Sequence, residues 1–243
     1  MAHAVHAPTR PPVERPPEPR HGRRGLSPAF ERLVRSHDWE GRAALDVGCG
    51  TGAATLLLAR LGARATGVDI DPTVLRMARA RAREDGLRRA RFVAADAERA
   101  GYRRLNGGPP LDGVVAHLCF SERIARAAFR GLRPGGVFIV RSFHADMWRE
   151  AGAVAHFALS GRQMRSSLRE IGFRVGSLTT ERRSQSFRSY AHFERSFLAN
   201  PERRAAWQQD GRLARMERHL GDRGGALSEA FLVVEARRPA AVR

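Results

Sequence analysis

The stretch that decides the fold is Leu45-Asp46-Val47-Gly48-Cys49-Gly50-Thr51-Gly52. An apolar run at residues 43–47 enters three glycines at alternate positions, and residues 53–61 continue with the apolar pattern of a helix. Glycine permits a tight turn and the close approach of a ligand to the backbone. A helix N-terminus adds free amides and a partial positive charge. The stretch therefore predicts a strand, a turn and a helix built around a ligand.

The glycine spacing bears on which ligand this is. A glycine-rich turn alone is weak evidence, because nicotinamide and flavin folds use similar turns. Here the spacing is Gly-x-Gly-x-Gly rather than Gly-x-Gly-x-x-Gly. This difference favours a ligand other than a dinucleotide.

Outward from this stretch, short apolar runs alternate with helical patterns. Predicted strands lie at residues 43–47, 65–70, 91–95, 113–118 and 136–142, and predicted helices at residues 53–61, 72–85 and 121–132. A sixth strand is expected at 173–179 and a closing strand at 230–236, with a helix at 162–171 before them. Strands joined by crossover helices form a parallel sheet with both faces covered. The fold class is thus α/β and doubly wound.

The ends of the chain and one long insertion depart from this alternation. Residues 1–25 are rich in proline and arginine and are predicted to be a disordered tail. Ser27 and Pro28 begin a predicted amphipathic helix that runs to Trp39. Residues 185–228 carry helical patterns and are too long for a plain hairpin loop, so they are interpreted as a helical cap insertion. Residues 26–243 then form the single folded domain.

Two carboxylates follow the next predicted strands. Asp69 ends the second strand, 17 residues after Gly52, and could accept hydrogen bonds from both hydroxyls of a ribose. Asp96 and Ala97 end the third strand, where a carboxylate and a backbone amide could read an adenine edge. Because the carboxyl ends of parallel strands meet at one edge of a sheet, the pattern predicts an adenosine-containing ligand there.

Together these residues resemble the class I S-adenosylmethionine-dependent methyltransferases, in order and spacing, over roughly residues 43–142. The resemblance implies a Rossmann-like, mostly parallel seven-stranded sheet with a reversed last strand, and S-adenosylmethionine as cofactor. It also implies roles for single residues. The methionine end would be lined by Asp46, Gly48, Gly50 and Gly52, the ribose would be held by Asp69, Ile70 would pack on the adenine, and Asp96 with Ala97 would bind its polar edge.

The methyl acceptor is expected at the carboxyl ends of the fourth and fifth strands. His117 lies near the end of the fourth strand and is a candidate general base or substrate anchor. The alternative is a histidine that packs beneath the following helix. His144, Asp146 and Trp148 leave the fifth strand together, and they form either an acceptor pocket or a loop with an N-capping aspartate.

Composition leaves the class of acceptor open. None of the 43 basic residues is lysine, and the formal net charge is +18. Such a field favours anionic partners, but arginine is also inflated by coding bias in GC-rich genomes. Residues 76–104 alone carry ten arginines against four acids. The favoured acceptor is a small molecule, methylated on O, N or C. Methylation of RNA or a nucleic-acid-associated protein is the alternative, and a non-catalytic cofactor-binding domain is a third interpretation.

The remaining features exclude several classes of site. Two cysteines, Cys49 and Cys119, are too few for a disulfide framework or a four-cysteine zinc site, and no metal site is expected. No apolar run approaches the roughly 20 residues that a membrane helix needs. The first twenty residues lack the apolar core of a signal peptide. A cytoplasmic location without membrane attachment is therefore expected.

Overall fold

The computed structural model describes residues 25–152 and 158–240. Within them, seven strands form one sheet in the order β3-β2-β1-β4-β5-β7-β6. The strands are β1 (Ala43–Val47), β2 (Arg64–Asp69), β3 (Ala90–Ala94), β4 (Leu111–His117), β5 (Leu132–Phe143), β6 (Arg174–Phe187) and β7 (Gly225–Arg237). Neighbours among β1 to β5 are parallel, and β7 is antiparallel to both β5 and β6. The predicted mostly parallel seven-stranded sheet with a reversed last strand is confirmed.

Helices connect the strands and cover the sheet. They are α1 (Pro28–Arg35), α2 (Ala53–Arg60), α3 (Pro72–Glu84), α4 (Tyr102–Leu105), α5 (Glu122–Gly131), α6 (Gly161–Ile171), α7 (Tyr190–Phe197), α8 (Pro201–Gln209) and α9 (Arg212–Leu220), with a 3-10 turn at Arg149–Ala151. The predicted start of α1 is confirmed, because the Ser27 side chain accepts a hydrogen bond from the Phe30 amide and Pro28 opens the helix. The helix ends at Arg35, before the predicted Trp39, whose indole N–H donates to the Val34 carbonyl at 2.7 Å.

Two apolar layers fill the two faces of the sheet. On one face, α1 and α2 pack on strand residues such as Val115 and Ile139. On the other face, α5 and α6 pack on Val114 and Phe138. All five residues of β1 are buried. The glycine-rich turn therefore leaves the sheet from a wholly buried strand.

The last two strands are longer than the sequence predicted. β6 continues to Phe187 and β7 begins at Gly225, and these two residues pair with each other. The predicted cap insertion at residues 185–228 therefore starts and ends inside strands, and its helical part is confined to residues 190–220. The reason is burial of apolar side chains, since Phe187 and Leu227 are almost wholly inaccessible and extend the ladder as a two-stranded ribbon.

The cap is here defined as residues 188–224, which hold α7, α8 and α9. Residues 201–220 form two helices rather than one, because Gly211 adopts a φ of +76° and begins a new helix. Aromatic side chains hold the cap together: Phe193, Phe197 and Trp207 lie within 5.1–5.7 Å of one another, centroid to centroid. The helical spacing of these aromatics thus marks a core face within the cap.

The predicted tail at residues 1–25 falls, except for Gly25, outside the described residues. In the part of the chain that the structure describes, no helix is both long and apolar enough to span a bilayer.

Candidate active site

The glycine-rich turn follows β1 and depends on glycine at two of its positions. Gly48 has a φ of +65°, and a Cβ there would collide with the side chain of Cys119. Gly52 has a φ of +86°, and a Cβ there would lie 3.0 Å from the Phe92 ring and 3.1 Å from Ala78. The outer side of Gly50, by contrast, is open space. The turn is packed tightly against the protein from below and leaves its outer side free for a ligand.

Asp46 lies beneath this turn rather than beside its open side. Its side chain is 1% exposed, and one carboxylate oxygen accepts hydrogen bonds from the Thr55 amide at 2.9 Å and the Thr55 hydroxyl at 2.6 Å. Burial raises the pKa of Asp46 to about 6, although the bonds from Thr55 act in the opposite direction. The carboxylate therefore ties the end of β1 to the first turn of α2.

Asp69 ends β2 on the open side of the same turn. One of its carboxylate oxygens accepts from the Gly50 amide at 2.8 Å, and the other accepts from the Asp71 amide at 3.0 Å. These bonds hold the glycine turn against the end of β2. Each oxygen retains a lone pair, so the same carboxylate can also accept from hydroxyl groups of a ligand.

Ile70 is the most exposed large apolar side chain of the described residues, at 63% exposed. It follows Asp69 directly, at the carboxyl end of β2. An isolated exposed isoleucine is unremarkable on a protein surface. Next to the Gly50 amide and the Asp69 carboxylate, however, its exposed apolar surface is available to contact a flat heterocycle.

Asp96 and Ala97 follow β3 at the same edge. The Asp96 carboxylate accepts from the Glu98 amide at 2.9 Å and lies 3.5 Å from the Arg99 guanidinium. The Ala97 carbonyl accepts from the Tyr102 hydroxyl at 3.0 Å, which fixes the loop over α4. The ends of β1, β2 and β3 thus bring together the cofactor-site residues that the sequence predicted.

His117 ends β4, on the face covered by α1. Its ring lies 4.9 Å from the Phe30 ring, centroid to centroid, and its Nε2 atom is buried with no hydrogen-bond partner in the described ranges. Burial, reinforced by the charge of the neighbouring Arg141, lowers the pKa of His117 to about 3. The imidazole is therefore neutral at physiological pH and retains an unused polar atom.

Arg141 is the register partner of His117 on β5. Its guanidinium is buried, donates to the Glu181 carboxylate at 2.7 Å and lies 3.6 Å above the centre of the Phe231 ring. A buried cation requires such partners, because desolvation without them costs several kcal/mol. Arg141 thus places a fixed positive charge behind His117.

Two bulky residues at this rim adopt left-handed backbone conformations. Leu118, directly after β4, has a φ of +63°, and Trp148, after β5, has a φ of +55°. Such conformations cost about 1–3 kcal/mol each for residues other than glycine and cluster at functional sites. The Leu118 amide donates to the Arg141 carbonyl at 2.7 Å, and the Trp148 amide donates to the Ser228 carbonyl at 2.8 Å. Neighbouring strands thus hold both residues in place.

The loop after β5 is held by its own polar groups. The Nδ1 atom of His144 accepts from the Asp146 amide at 3.0 Å, so the proton of the neutral ring resides on Nε2. The Asp146 carboxylate pairs with Arg182 at 2.9 Å, and Trp148 is buried against the cap aromatics Phe197 and Trp207. Of the two interpretations of this segment, the arrangement favours a structured loop over a three-residue pocket.

The thiols and carboxylates offer no further reactive group at this edge. Burial raises the pKa of the Cys119 thiol to about 12 and also raises the pKa of the Cys49 thiol, so both thiols stay protonated. Across the described stretches, no group of three or more His, Cys, Asp or Glu side chains is placed to hold a metal ion.

Comparison with known proteins agrees with this geometry. Residues 44–136 match the family model of a methyltransferase domain. They span β1 to the start of β5, which includes the whole cofactor edge described above. This part of the chain is therefore similar to a methyltransferase domain, as its resemblance to the class I S-adenosylmethionine-dependent methyltransferases predicted.

Curated relatives match about half of the chain. A ubiquinone biosynthesis O-methyltransferase of Methylobacterium sp. (strain 4-46) is 35% identical over 128 residues, which cover 52% of this chain and 48% of that protein. A ribosomal protein L11 methyltransferase of Thermus thermophilus is 38% identical over 135 residues, 53% of this chain and 50% of that protein. The chain therefore matches about half the length of these relatives.

Solved structures share the fold over most of the chain. A methyltransferase from Geobacter sulfurreducens, in complex with S-adenosylhomocysteine, superposes with a TM-score of 0.58 at 17% identity and covers 90% of this chain and 94% of that chain. The likeness therefore includes β6 and β7, which the family model does not reach.

The residues present fit S-adenosylmethionine. The open side of Gly50 leaves room beside the turn, Asp69 keeps acceptor capacity for ribose hydroxyls, and Ile70 exposes apolar surface to the adenine. Asp46 was expected to contact the cofactor directly. Because it is buried beneath the turn, it would instead act by holding the turn in position. These assignments remain predictions.

Sequence reasoning missed three residues of the acceptor rim: Phe30, Leu118 and Arg141. Phe30 belongs to a helix distant in sequence, and its contact with His117 depends on how α1 docks on the sheet. No local sequence pattern predicts that Leu118 adopts a left-handed backbone conformation. Arg141 is one of many arginines, and only the strand register places it beside His117.

The first prediction concerns the buried carboxylate. In Asp46→Asn, an oxygen is retained to accept from Thr55 but the charge is removed. A raised pKa in the folded state favours the protonated form, so this contribution to stability is present below pH 4 and is lost as pH rises to about 6. The free energy of unfolding of the wild type should thus fall relative to the variant by up to about 3 kcal/mol between pH 4 and 6, then stay constant.

Urea unfolding of both proteins at four pH values measures this difference. Asp85→Asn serves as control, because Asp85 is a surface carboxylate paired with Arg60. Parallel pH profiles for the wild type and Asp46→Asn would show that the carboxylate titrates as if exposed.

The second prediction concerns the ribose site. Asp69→Ala should weaken the binding of S-adenosylhomocysteine by about 2 to 4 kcal/mol, roughly 30- to 1000-fold, through lost charge-assisted hydrogen bonds. Isothermal titration calorimetry measures the affinity, with NADH as a ligand that should not bind. The matched control Asp85→Ala, with the same loss of charge, should bind like the wild type. Unchanged affinity in Asp69→Ala would mean that the ribose is held elsewhere.

Proposed function

We propose that this methyltransferase transfers a methyl group from S-adenosylmethionine to a nucleophilic O, N or C atom of a small-molecule acceptor. The acceptor binds at the carboxyl ends of β4 and β5. The observation that carries this proposal is the position of the cap, whose apolar cluster includes Phe143, Trp148 and Phe231 of the sheet edge and contacts Leu118.

The cofactor, when bound, supplies a methyl group on an electrophilic sulfonium sulfur. The protein's own contribution is then alignment of the two reactants and exclusion of water. Asp69 orients the adenosine half through its carboxylate, and the glycine turn lets the methionine half approach the backbone. Orientation of this kind contributes as much as about 7 to 11 kcal/mol to lowering a bimolecular barrier.

His117 is the group we assign to the acceptor. Its ring is neutral, because burial and Arg141 disfavour the imidazolium, and its buried Nε2 atom has no hydrogen-bond partner in the described chain. A neutral imidazole can accept a hydrogen bond from an acceptor hydroxyl and so orient its oxygen towards the methyl group, whereas a pKa this low makes the ring a weak base. His144 stays a second candidate, with its Nε2–H available for donation.

The packing of the cap against this rim supports a small acceptor. The cap meets the loop after β5, where the Arg215 guanidinium donates to the Ala151 carbonyl at 2.6 Å and Phe197 packs edge-on against Trp148. A polynucleotide needs an open groove at the reacting atom. One curated relative, the O-methyltransferase of ubiquinone biosynthesis, supports an oxygen acceptor on a small molecule.

Methylation of RNA or of a nucleic-acid-associated protein is the second candidate. A ribosomal protein L11 methyltransferase among the relatives favours it. The basic segment at residues 76–104, however, follows β2 and flanks the adenine side rather than the rim at β4 and β5. We place the reaction in the cytoplasm, in keeping with two cysteines that are both free thiols.

The test of this function combines labelled cofactor with removal of the cap. Phe187 and Gly225 are paired, so residues 188–224 can be replaced by a two-residue turn without cutting either strand. With methyl-labelled cofactor and cell extract, we expect the intact protein to label low-molecular-weight material only. The shortened protein should lose this labelling while its affinity for S-adenosylhomocysteine changes little.

Two results would contradict the proposal. Undiminished labelling by the shortened protein would remove the cap from the mechanism. Label that appears in RNA or in a ribosomal protein would establish the second candidate instead.

A further prediction concerns His117. His117→Ala should lower kcat/KM by about 10- to 100-fold, through loss of the hydrogen bond that orients the acceptor, without changing the affinity for S-adenosylhomocysteine. Because the pKa of this histidine is about 3, the wild-type rate should show no decline from its protonation between pH 8 and pH 6. His192→Ala in α7 is the matched control and should keep the wild-type rate. A full rate in His117→Ala would leave His144 as the candidate.

A further inference from the structure

A second concave surface lies apart from the methyl-transfer site, between α3 and β3. It is a groove of about 520 Å³, and β3 is an edge strand that pairs only with β2 in the described sheet. Four arginines line the groove together with apolar residues, and none of its nine lining residues is acidic: the arginines are Arg79, Arg83, Arg88 and Arg91. We refer to it as the arginine groove.

The arginines of this groove carry charge that the protein does not neutralise. Arg79 and Arg91 donate to backbone carbonyls, at 2.8 Å and 3.0 Å, which orients them without removing their charge. The side chains of Arg83 and Arg88 are exposed, and no hydrogen bond or ion pair joins their guanidinium groups to another described residue. The local field is therefore positive and concentrated in a concavity.

Elsewhere on the surface many arginines are neutralised by carboxylates. Arg126 pairs with Glu122 within α5, and Arg133 pairs with Asp112 across two strands at 2.7 Å. A general excess of arginine in the composition does not produce this difference. The arginine groove is distinguished by the absence of acids from its lining, not by arginine alone.

We propose that the arginine groove binds the phosphodiester backbone of a single-stranded nucleic acid. Guanidinium groups match phosphate oxygens in two-point hydrogen bonds, and their planes also stack on unpaired bases. A concave groove between a helix and a strand edge can follow one flexible strand, whose unpaired bases are free to stack on guanidinium planes. Charge complementarity thus favours a nucleic acid, and the bases available for stacking favour a single strand.

The groove is separate from the proposed reaction. Gly86, Leu87 and Arg88 of its lining precede β3, towards the amino-terminal ends of the strands. The cofactor and acceptor sites lie at the carboxyl ends. A strand bound in the groove is accordingly an anchor that localises the enzyme, and it is not the methyl acceptor.

The experiment measures fluorescence anisotropy of a labelled 12-nucleotide oligouridylate with the full chain at several salt concentrations. Three or four phosphate contacts predict a slope of log K against log[salt] of about −2 to −3 for a single strand. Arg83→Ala combined with Arg88→Ala should weaken binding about tenfold or more and reduce the slope by about 1.4. The affinity for S-adenosylhomocysteine and the thermal midpoint should not change, since both side chains are exposed.

The control is Arg162→Ala combined with Arg169→Ala, which removes two exposed charges from α6 beside β6, at the opposite end of the sheet. This variant should bind the oligonucleotide like the wild type. An equal loss in the control would show a diffuse field and would overturn the proposal. Tighter binding of a duplex of equal length, or equally effective displacement by polyglutamate, would overturn it in favour of a duplex or an acidic polypeptide.

Discussion

The pair of hydrogen bonds from Thr55 to the buried carboxylate of Asp46 is the interaction on which the cofactor site depends. It joins the central strand to the first turn of α2 and so fixes the path of the glycines between them. A carboxylate is an expensive group to bury, and its raised pKa reflects that cost. The two hydrogen bonds hold the turn from its inner side. Its outer side can therefore consist of bare backbone that faces a ligand.

A second constraint acts at the proposed acceptor rim, where two residues other than glycine adopt left-handed backbone conformations. Leu118 and Trp148 keep left-handed conformations because each amide is bonded to a neighbouring strand and each side chain has an apolar environment. Trp148 belongs to the apolar cluster that the cap forms with the edge of the sheet, and Leu118 packs against that cluster. At the cofactor edge, the left-handed backbone positions are occupied by glycine, which adopts them without strain. At the proposed acceptor edge they are occupied by Leu118 and Trp148, which surrounding contacts hold in a strained conformation.

The positive charges of the molecule also differ between two places, one buried and one exposed. At the proposed acceptor site, Arg141 is buried, paired with Glu181 and stacked on Phe231, so its charge acts on His117 without being open to solvent. In the arginine groove, Arg83 and Arg88 are open to solvent and uncompensated. Arginine therefore provides a fixed positive charge inside the protein at one place and an accessible positive surface at another. The two cases differ only in burial and ion pairing.

The sequence by itself determined the strand–turn–helix at residues 43–61, the parallel sheet and the placement of Asp69 and Asp96 at one edge. These features depend on local patterns: alternation of apolar runs, glycine spacing and the common direction of parallel strands. Only the tertiary structure decided that Asp46 faces inward and that His117 lies between Phe30 and Arg141. It also set the true limits of the last two strands. Those outcomes depend on register and helix docking, which packing between distant segments selects and no local pattern encodes.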